Sequence, residues 1–316
     1  MKLVKLAVMV LITNLILVSA AADTIFVGFG TAGATGAYYA LGGEFAKLWT
    51  DHIENMNVSV QTTGGSKANI LLMNDQDIEI AICQNDVAYY AYQGDETFFE
   101  GNVIDSFYAI GTLFPEFVQV VVSANSRISR ISDLKDKVVS VGAIGSGAYF
   151  NAIQVLAEAG LTLDDIRVRH LSYEESCTSF QNMQLDAFFV TAPIPHTSIV
   201  EANTKRRIKL ITLDTGEMDR LITDYSFYTP SFIPAGTYEG LNEDTVSPAV
   251  NAMLICSKDL DDTLVYDITK VLFENIGEIT NAKKQYISVE NAVNGVSVPY
   301  HPGAERYFRE LGLLSN

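Results

Sequence analysis

The 316-residue chain carries 21 Lys and Arg against 38 Asp and Glu, a formal net charge of −17, and an acidic balance of that size argues against a nucleic-acid partner. Apolar residues make up 48% of it, enough at this length for two cores of ordinary size. The cysteines Cys83, Cys177 and Cys256 stand far apart in apolar surroundings, so they form no disulfide framework and read as buried side chains.

Lys2 and Lys5 precede an apolar run over residues 6–18, and the small residues Ser19-Ala20-Ala21-Ala22 follow. This pattern predicts a secretory signal peptide over residues 1–22, cleaved after Ala20 or Ala22, and hence a periplasmic or otherwise extracytoplasmic protein. The run is short and broken by Thr13 and Asn14, which disfavours a permanent anchor.

Residues 24–27 read as a strand, Gly28-Phe29-Gly30-Thr31-Ala32-Gly33-Ala34-Thr35-Gly36 as a glycine loop, and residues 38–49 as a helix with Leu41, Phe45 and Leu48 on one face. A loop of this kind presents backbone N–H groups and a helix N-terminus without Cβ atoms in the way. A second strand over residues 58–62 runs into Thr63-Gly64-Gly65-Ser66, with Ser66 placed to cap a helix over residues 67–73. The third strand, residues 78–83, ends in Gln84-Asn85-Asp86 before a tyrosine-rich segment. Polar groups at three successive strand ends are expected to share one crevice.

Residues 107–113 and 117–123 read as strands on either side of Phe114-Pro115-Glu116, and a charged stretch follows. The opening pattern then returns: a strand over 138–141, the loop Gly142-Ala143-Ile144-Gly145-Ser146-Gly147, and a helix over 148–159 stopped by Gly160. Strands over 167–171, 187–190 and 208–213, with a helix near 174–183, continue this unit. Residues 229–248 read as an irregular return path, followed by a strand over 250–257, a helix over 264–276 and a tail helix over 305–311. The pattern predicts two similar α/β lobes: residues 23–123 with 229–316, and residues 124–228 inserted between them.

Gly28-x-Gly30-x-x-Gly33 matches a dinucleotide fingerprint, but the second strand lacks the terminal acid that would hold ribose hydroxyls. Gly64-x-Ser66-x-Ala68 only approaches a nucleophile elbow, and the histidines stand in no recognisable catalytic context. Asp75-x-Asp77-x-Glu79 lacks the glycine and distal glutamate of a calcium loop. No enzyme, cofactor or metal is therefore expected. What remains is a cleft of donors, acceptors and aromatics that holds a ligand: Thr31, Ala32, Gly33, Tyr38, Tyr39, Ser66, Asn69, Gln84, Asn85, Asp86, Glu116, Gly145, Ser146, Gly147 and Tyr149. No arginine lies in these loops, so a carboxylate would rest on backbone amides and hydroxyls at residues 31–33, Ser66, Ser146 and Gly147, while Asp86 or Glu116 would pair with an ammonium.

Several stretches, in this order, carry a family resemblance: Gly30-Thr31-Ala32-Gly33 with Gly36-Ala37-Tyr38-Tyr39, Thr63-Gly64-Gly65-Ser66 with Asn69, Ala81-Ile82-Cys83-Gln84-Asn85-Asp86, Asp133-Leu134-Lys135, Val141-Gly142 with Gly145-Ser146-Gly147, Asp186-Ala187-Phe188-Phe189, Ile233-Pro234-Ala235-Gly236-Thr237-Tyr238, and Pro299-Tyr300-His301-Pro302-Gly303-Ala304. The chain from residue 23 onward resembles the TAXI family, the TRAP-associated extracytoplasmic immunogenic proteins of tripartite ATP-independent periplasmic transporters. It departs from the pattern at Ala40, Cys83 and Asp136. The resemblance implies a type II periplasmic-binding-protein fold with hinge strands between two lobes. It also implies a glutamate, glutamine or related carboxylate solute, delivery to a TRAP-type membrane permease, and a monomer. An exported hydrolase-like enzyme or a sensor subunit on the same frame are the alternatives.

Overall fold

A computed structural model describes residues 24–315; the expected signal peptide over residues 1–22 lies outside the described residues. Strand β1 (Ile25–Gly30) leads into α1 (Ala37–His52), whose Leu41, Phe45, Leu48 and Trp49 are buried while Lys47 and Asp51 face solvent. The chain continues through β2 (Met56–Gln61), α2 (Ser66–Asn74), β3 (Ile80–Gln84), α3 (Asn85–Gln93) and the single turn α4 (Glu96–Phe99). The long β4 (Phe107–Ser123) then carries it into the second lobe.

There the order is β5 (Val138–Ser140), α5 (Gly147–Glu158), β6 (Arg167–Arg169), α6 (Tyr173–Gln181), β7 (Ala187–Ala192), α7 (Thr197–Lys205), β8 (Ile208–Leu210), α8 (Thr215–Asp224) and β9 (Thr229–Ile233). Strand β10 (Thr245–Ser257) returns, and α9 (Asp262–Glu274), α10 (Val289–Ala292) and α11 (Pro302–Glu310) finish the first lobe. The Trp49 indole N–H donates to the Ile268 carbonyl at 3.0 Å, tying α1 to α9.

One curled mixed sheet runs through both lobes in the order β2-β1-β3-β10-β4-β7-β5-β6, with β8 on β4 and β9 on β10. Each wing is parallel, β1–β3 in one and β5–β7 in the other, and the antiparallel pair β4 and β10 joins them. Both joining strands change core at the same level. Ile110, Leu113 and Phe114 of β4 pack with Phe29, Phe45 and Phe308, whereas Val118, Val120 and Val122 pack with Val139, Leu156 and Phe189. On β10, Val250 belongs to the second core and Ala252 to the first. Each lobe thus has its own buried interior, and Glu116, in register with Val250, sits at the crossing.

Two local expectations are corrected. The strands expected on either side of Phe114-Pro115-Glu116 are one strand of 17 residues. Proline is tolerated inside it because β7 pairs with β4 only as far as Ala192 opposite Phe117, so no neighbour on that side requires an N–H at position 115. Residues 229–248, expected to be irregular, contain β9 and the start of β10, where Pro230 and Pro248 are paired in register at the edge of the sheet. Helices α7 and α8 were not expected at all.

Candidate functional site

The carboxyl ends of the parallel strands in both wings open on one cleft between the lobes, where an α/β sheet places its ligands. Its wall is built from residues 32–38 after β1, residues 63–66 after β2, Gln84 at the end of β3, Glu116 on β4, Ala143 and residues 146–148 after β5, residues 172–174 at the start of α6, and Thr191 and Ala192 at the end of β7. The accessible volume of the cleft is about 150 Å³. A cavity of about that volume accommodates a benzene-sized body.

The N-termini of α1, α2, α5 and α6 reach this space, and they differ in what is left unsatisfied. No side chain caps α1 and no acid stands in its first turn, so its leading N–H groups face the cleft with their dipole uncompensated. On α5, Ser146 Oγ accepts the Tyr149 N–H at 3.2 Å, and the first turn again holds no acid. The α2 terminus is filled from the opposite lobe: the Lys67 and Ala68 N–H groups donate to the Gly145 carbonyl at 3.0 and 3.2 Å. By contrast, α6 is closed by a capping box between Ser172 and Glu175, with Glu174 on the wall beside it.

Two glycines stand where the lobes approach each other closely. A Cβ on Gly147 would lie 2.0 Å from Gln84 Oε1, and Gly65 has φ +106° with Ser146 facing it.

Two carboxyls are fully enclosed. Glu116, 3% exposed, accepts the Tyr38 hydroxyl on Oε2 at 2.6 Å, and burial pushes its pKa up to about 8. Tyr38 is raised in turn, first by burial and then by the neighbouring Glu116. Asp86 is pushed up to about 7 by burial, against an opposing hydrogen bond from Asn151. It lies behind the cleft wall, where Asn151 Nδ2 donates to its Oδ2 at 2.9 Å and to the Tyr228 hydroxyl at 2.7 Å.

Of the residues expected to hold a ligand, Ala32, Gly33, Tyr38, Ser66, Gln84, Glu116, Ser146 and Gly147 are brought to the cleft. Seven are not on its wall. The Thr31 hydroxyl donates to the Gln61 carbonyl, Tyr39 points outward, and Tyr149 packs edge-on against His170. Asn69 is a buried staple between the ends of β1 and β3, donating to the Thr31 and Ile82 carbonyls at 2.7 and 2.8 Å. Asn85 stitches the crossing, accepting the Asn251 N–H and donating to the Gly295 carbonyl. Asp86 and Gly145 serve contacts between the lobes.

Ser66 is not the expected cap. It is the first residue of α2, and its Oγ accepts the Gln84 N–H at 3.0 Å. His196 and His301 are likewise occupied as caps of α7 and α11. Thr35 and Thr63 line the cleft within the expected glycine loops, while Ser172, Tyr173, Glu174 and Thr191 line it without such an expectation. For three of them a signal existed: Ser172-x-x-Glu175 is a capping-box spacing that marks a helix start at a strand end.

A model of the NMT1-like family matches residues 29–312 of the chain. Among solved structures, the chain is similar to the alkanesulfonate-binding protein SsuA from Xanthomonas axonopodis pv. citri bound to MOPS, at 15% identity over 92% of this chain and 85% of that one, with a TM-score of 0.54. It is also similar to a putative L-cystine ABC transporter from Listeria monocytogenes, at 13% identity over 85% of this chain and 98% of that one, with a TM-score of 0.52. At these identities the likeness shows the fold, two lobes on a mixed α/β frame.

Proposed function

The chain belongs to the NMT1-like family, and on that premise we propose that it is an extracytoplasmic solute-binding protein that captures a small amino acid or carboxylate by closing its lobes. One observation carries the reading: the uncapped N-terminus of α1, the serine-capped N-terminus of α5, neither with an acid in its first turn, and the buried carboxyl of Glu116 converge on a single cleft of about 150 Å³ between the lobes. Helix N-termini favour an anionic group without needing an arginine. The names of the two similar structures, an alkanesulfonate-binding protein and an L-cystine transporter, support a small solute.

The narrower parts of the reading rest on the TAXI resemblance: a glutamate- or glutamine-like solute, a TRAP-type permease as the receiving partner, and a monomer. Export by the leader over residues 1–22 belongs to it as well, as does a division into residues 23–123 with 229–316 and residues 124–228. Capture without conversion is the expected chemistry, since the candidate nucleophile Ser66 is engaged by a backbone N–H and no histidine stands on the cleft wall among the described residues.

Mass spectrometry of the solute released on denaturing the purified protein, followed by calorimetry of the stripped protein, tests the proposal. Stoichiometric binding of a small amino acid or carboxylate without product is expected. Turnover, or no binding across amino acids and dicarboxylates, would overturn it.

A further inference from the structure

The cleft wall contains acceptors that nothing in the protein satisfies. Gln84 Oε1 and Thr191 Oγ1 are enclosed without a hydrogen-bond partner, and both residues are only 2% exposed. Glu116, on the same wall, is hydrogen-bonded by the Tyr38 hydroxyl and by the Gln84 side chain, which leaves lone pairs on its carboxyl free. Enclosed polar atoms are rarely left unpaired, because each costs the desolvation it suffered. The charged side chains on the wall are Glu116 and Glu174; no Lys or Arg lines it among the described residues.

Resting on the solute-binding reading, we infer that Gln84, Glu116 and Thr191 form a seat for a primary ammonium group of the solute, and that the ammonium displaces the Glu116 carboxyl proton as it docks. An ammonium has three N–H donors and no acceptor, which matches the two unpartnered acceptors and the lone pairs still free on the Glu116 carboxylate. The proton balance is closed. The carboxyl O–H of Glu116 breaks, the carboxylate pairs with the ammonium, and the proton leaves to bulk water before the lobes shut.

The surroundings favour this exchange. The groups that face Glu116 are Tyr38 from α1, Cys83 and Gln84 from β3, Asp86 from α3 and Tyr173 from α6, with no cation among them. Burial, with Asp86 adding to it, holds the carboxyl near 8, so the empty cleft keeps it protonated at pH 7. A docked ammonium reverses that preference.

Calorimetry at pH 7 in phosphate and in imidazole, whose ionisation enthalpies differ and neither of which carries a primary amine, counts the protons released. The probes are the standard amino acids, each beside its deaminated counterpart. At least one amino acid is expected to bind about tenfold or more tightly than its counterpart, releasing close to one proton. Glu116→Gln should lose both the preference and the release, with melting at or above that of the wild type. Thr191→Val, which deletes an acceptor at constant shape, should weaken binding several-fold and keep the release. Amino-acid binding without proton release, or equal affinity for the deaminated counterpart, overturns the seat. A retained solute without an amino group overturns the seat and leaves the solute-binding reading standing. Binding of neither panel, with no retained solute, overturns both.

Discussion

Glu116 holds a charge-capable group where none is affordable, and this makes its protonation part of the stability of the fold. Its carboxyl moves from an ordinary 4.5 to about 8, so between those values the folded chain keeps a proton that the unfolded chain releases. Stability contributed by such a group is present at low pH and is lost as pH rises through the window. Asp86 acts with the same sign between 3.8 and about 7. His196 has the opposite sign: burial lowers it from 6.5 to about 4, so the unfolded chain takes up the proton and stability falls as pH drops through that range. Glu116→Gln removes one carboxyl from this balance and leaves the others in place. In urea unfolding of the solute-free protein, the variant should match the wild type near pH 5 and exceed it at pH 8 by on the order of a few kcal/mol. A wild type that gains on the variant as pH rises would contradict the assignment.

The start of α5 shows how an element is constrained by what it faces. A Cβ on Gly147 would lie 2.0 Å from Gln84 Oε1, so the Gln84 amide would have to swing within the cleft to make room. Gly147→Ala should therefore weaken solute binding, since the Gln84 amide is displaced on the cleft wall, and leave the stability of the stripped protein nearly unchanged. Gly43, exposed on α1 with nothing within 4 Å of a built Cβ, is the control. Gly43→Ala should raise stability by about 0.5–1 kcal/mol and leave affinity unchanged; urea titrations and calorimetry of the two variants check both. Elements of this sort were largely legible in the sequence, because glycine loops after alternating apolar runs mark strand ends, and Ala32, Gly33, Ser146 and Gly147 follow from that pattern alone. Asn69, Asn85 and Asp86 look equally polar in the sequence, yet their partners Ile82, Gly295 and Asn151 are set by tertiary contacts that no local spacing reveals. Helices α7 and α8 escaped notice for a different reason: their apolar stripes are thin, with Ile199 and Ala202 on one and Met218 and Leu221 on the other. The Asp214-x-x-Glu217 capping box was readable and would have marked α8.

For the whole molecule, the two-lobe reading turns on what holds the lobes together. The Gly145 carbonyl fills the α2 N-terminus, Asn151 bonds Asp86, Gln154 Nε2 donates to the Tyr90 hydroxyl at 2.9 Å, and Phe150 stacks on Phe98 with ring centroids 4.0 Å apart. Lys283 reaches across on another side to the Ile194 and Pro195 carbonyls. These groups span elements that are joined through β4 and β10, the strands that change core at one level and so provide the place to bend. If closure accompanies solute capture, these contacts contribute to affinity and not to the stability of the empty protein. Asn151→Ala separates the two cases. Its amide donates to Asp86 from the opposite wing, and removing it leaves a buried carboxyl oxygen unpaired only when the lobes are together. The variant should bind solute about tenfold more weakly, and small-angle scattering of the loaded variant should show a radius of gyration nearer that of the stripped wild type, while the melting temperature of the stripped variant stays close to wild type. A stripped variant that melts far below the stripped wild type would mean that the Asn151–Asp86 bond persists without solute and that the lobes do not part there.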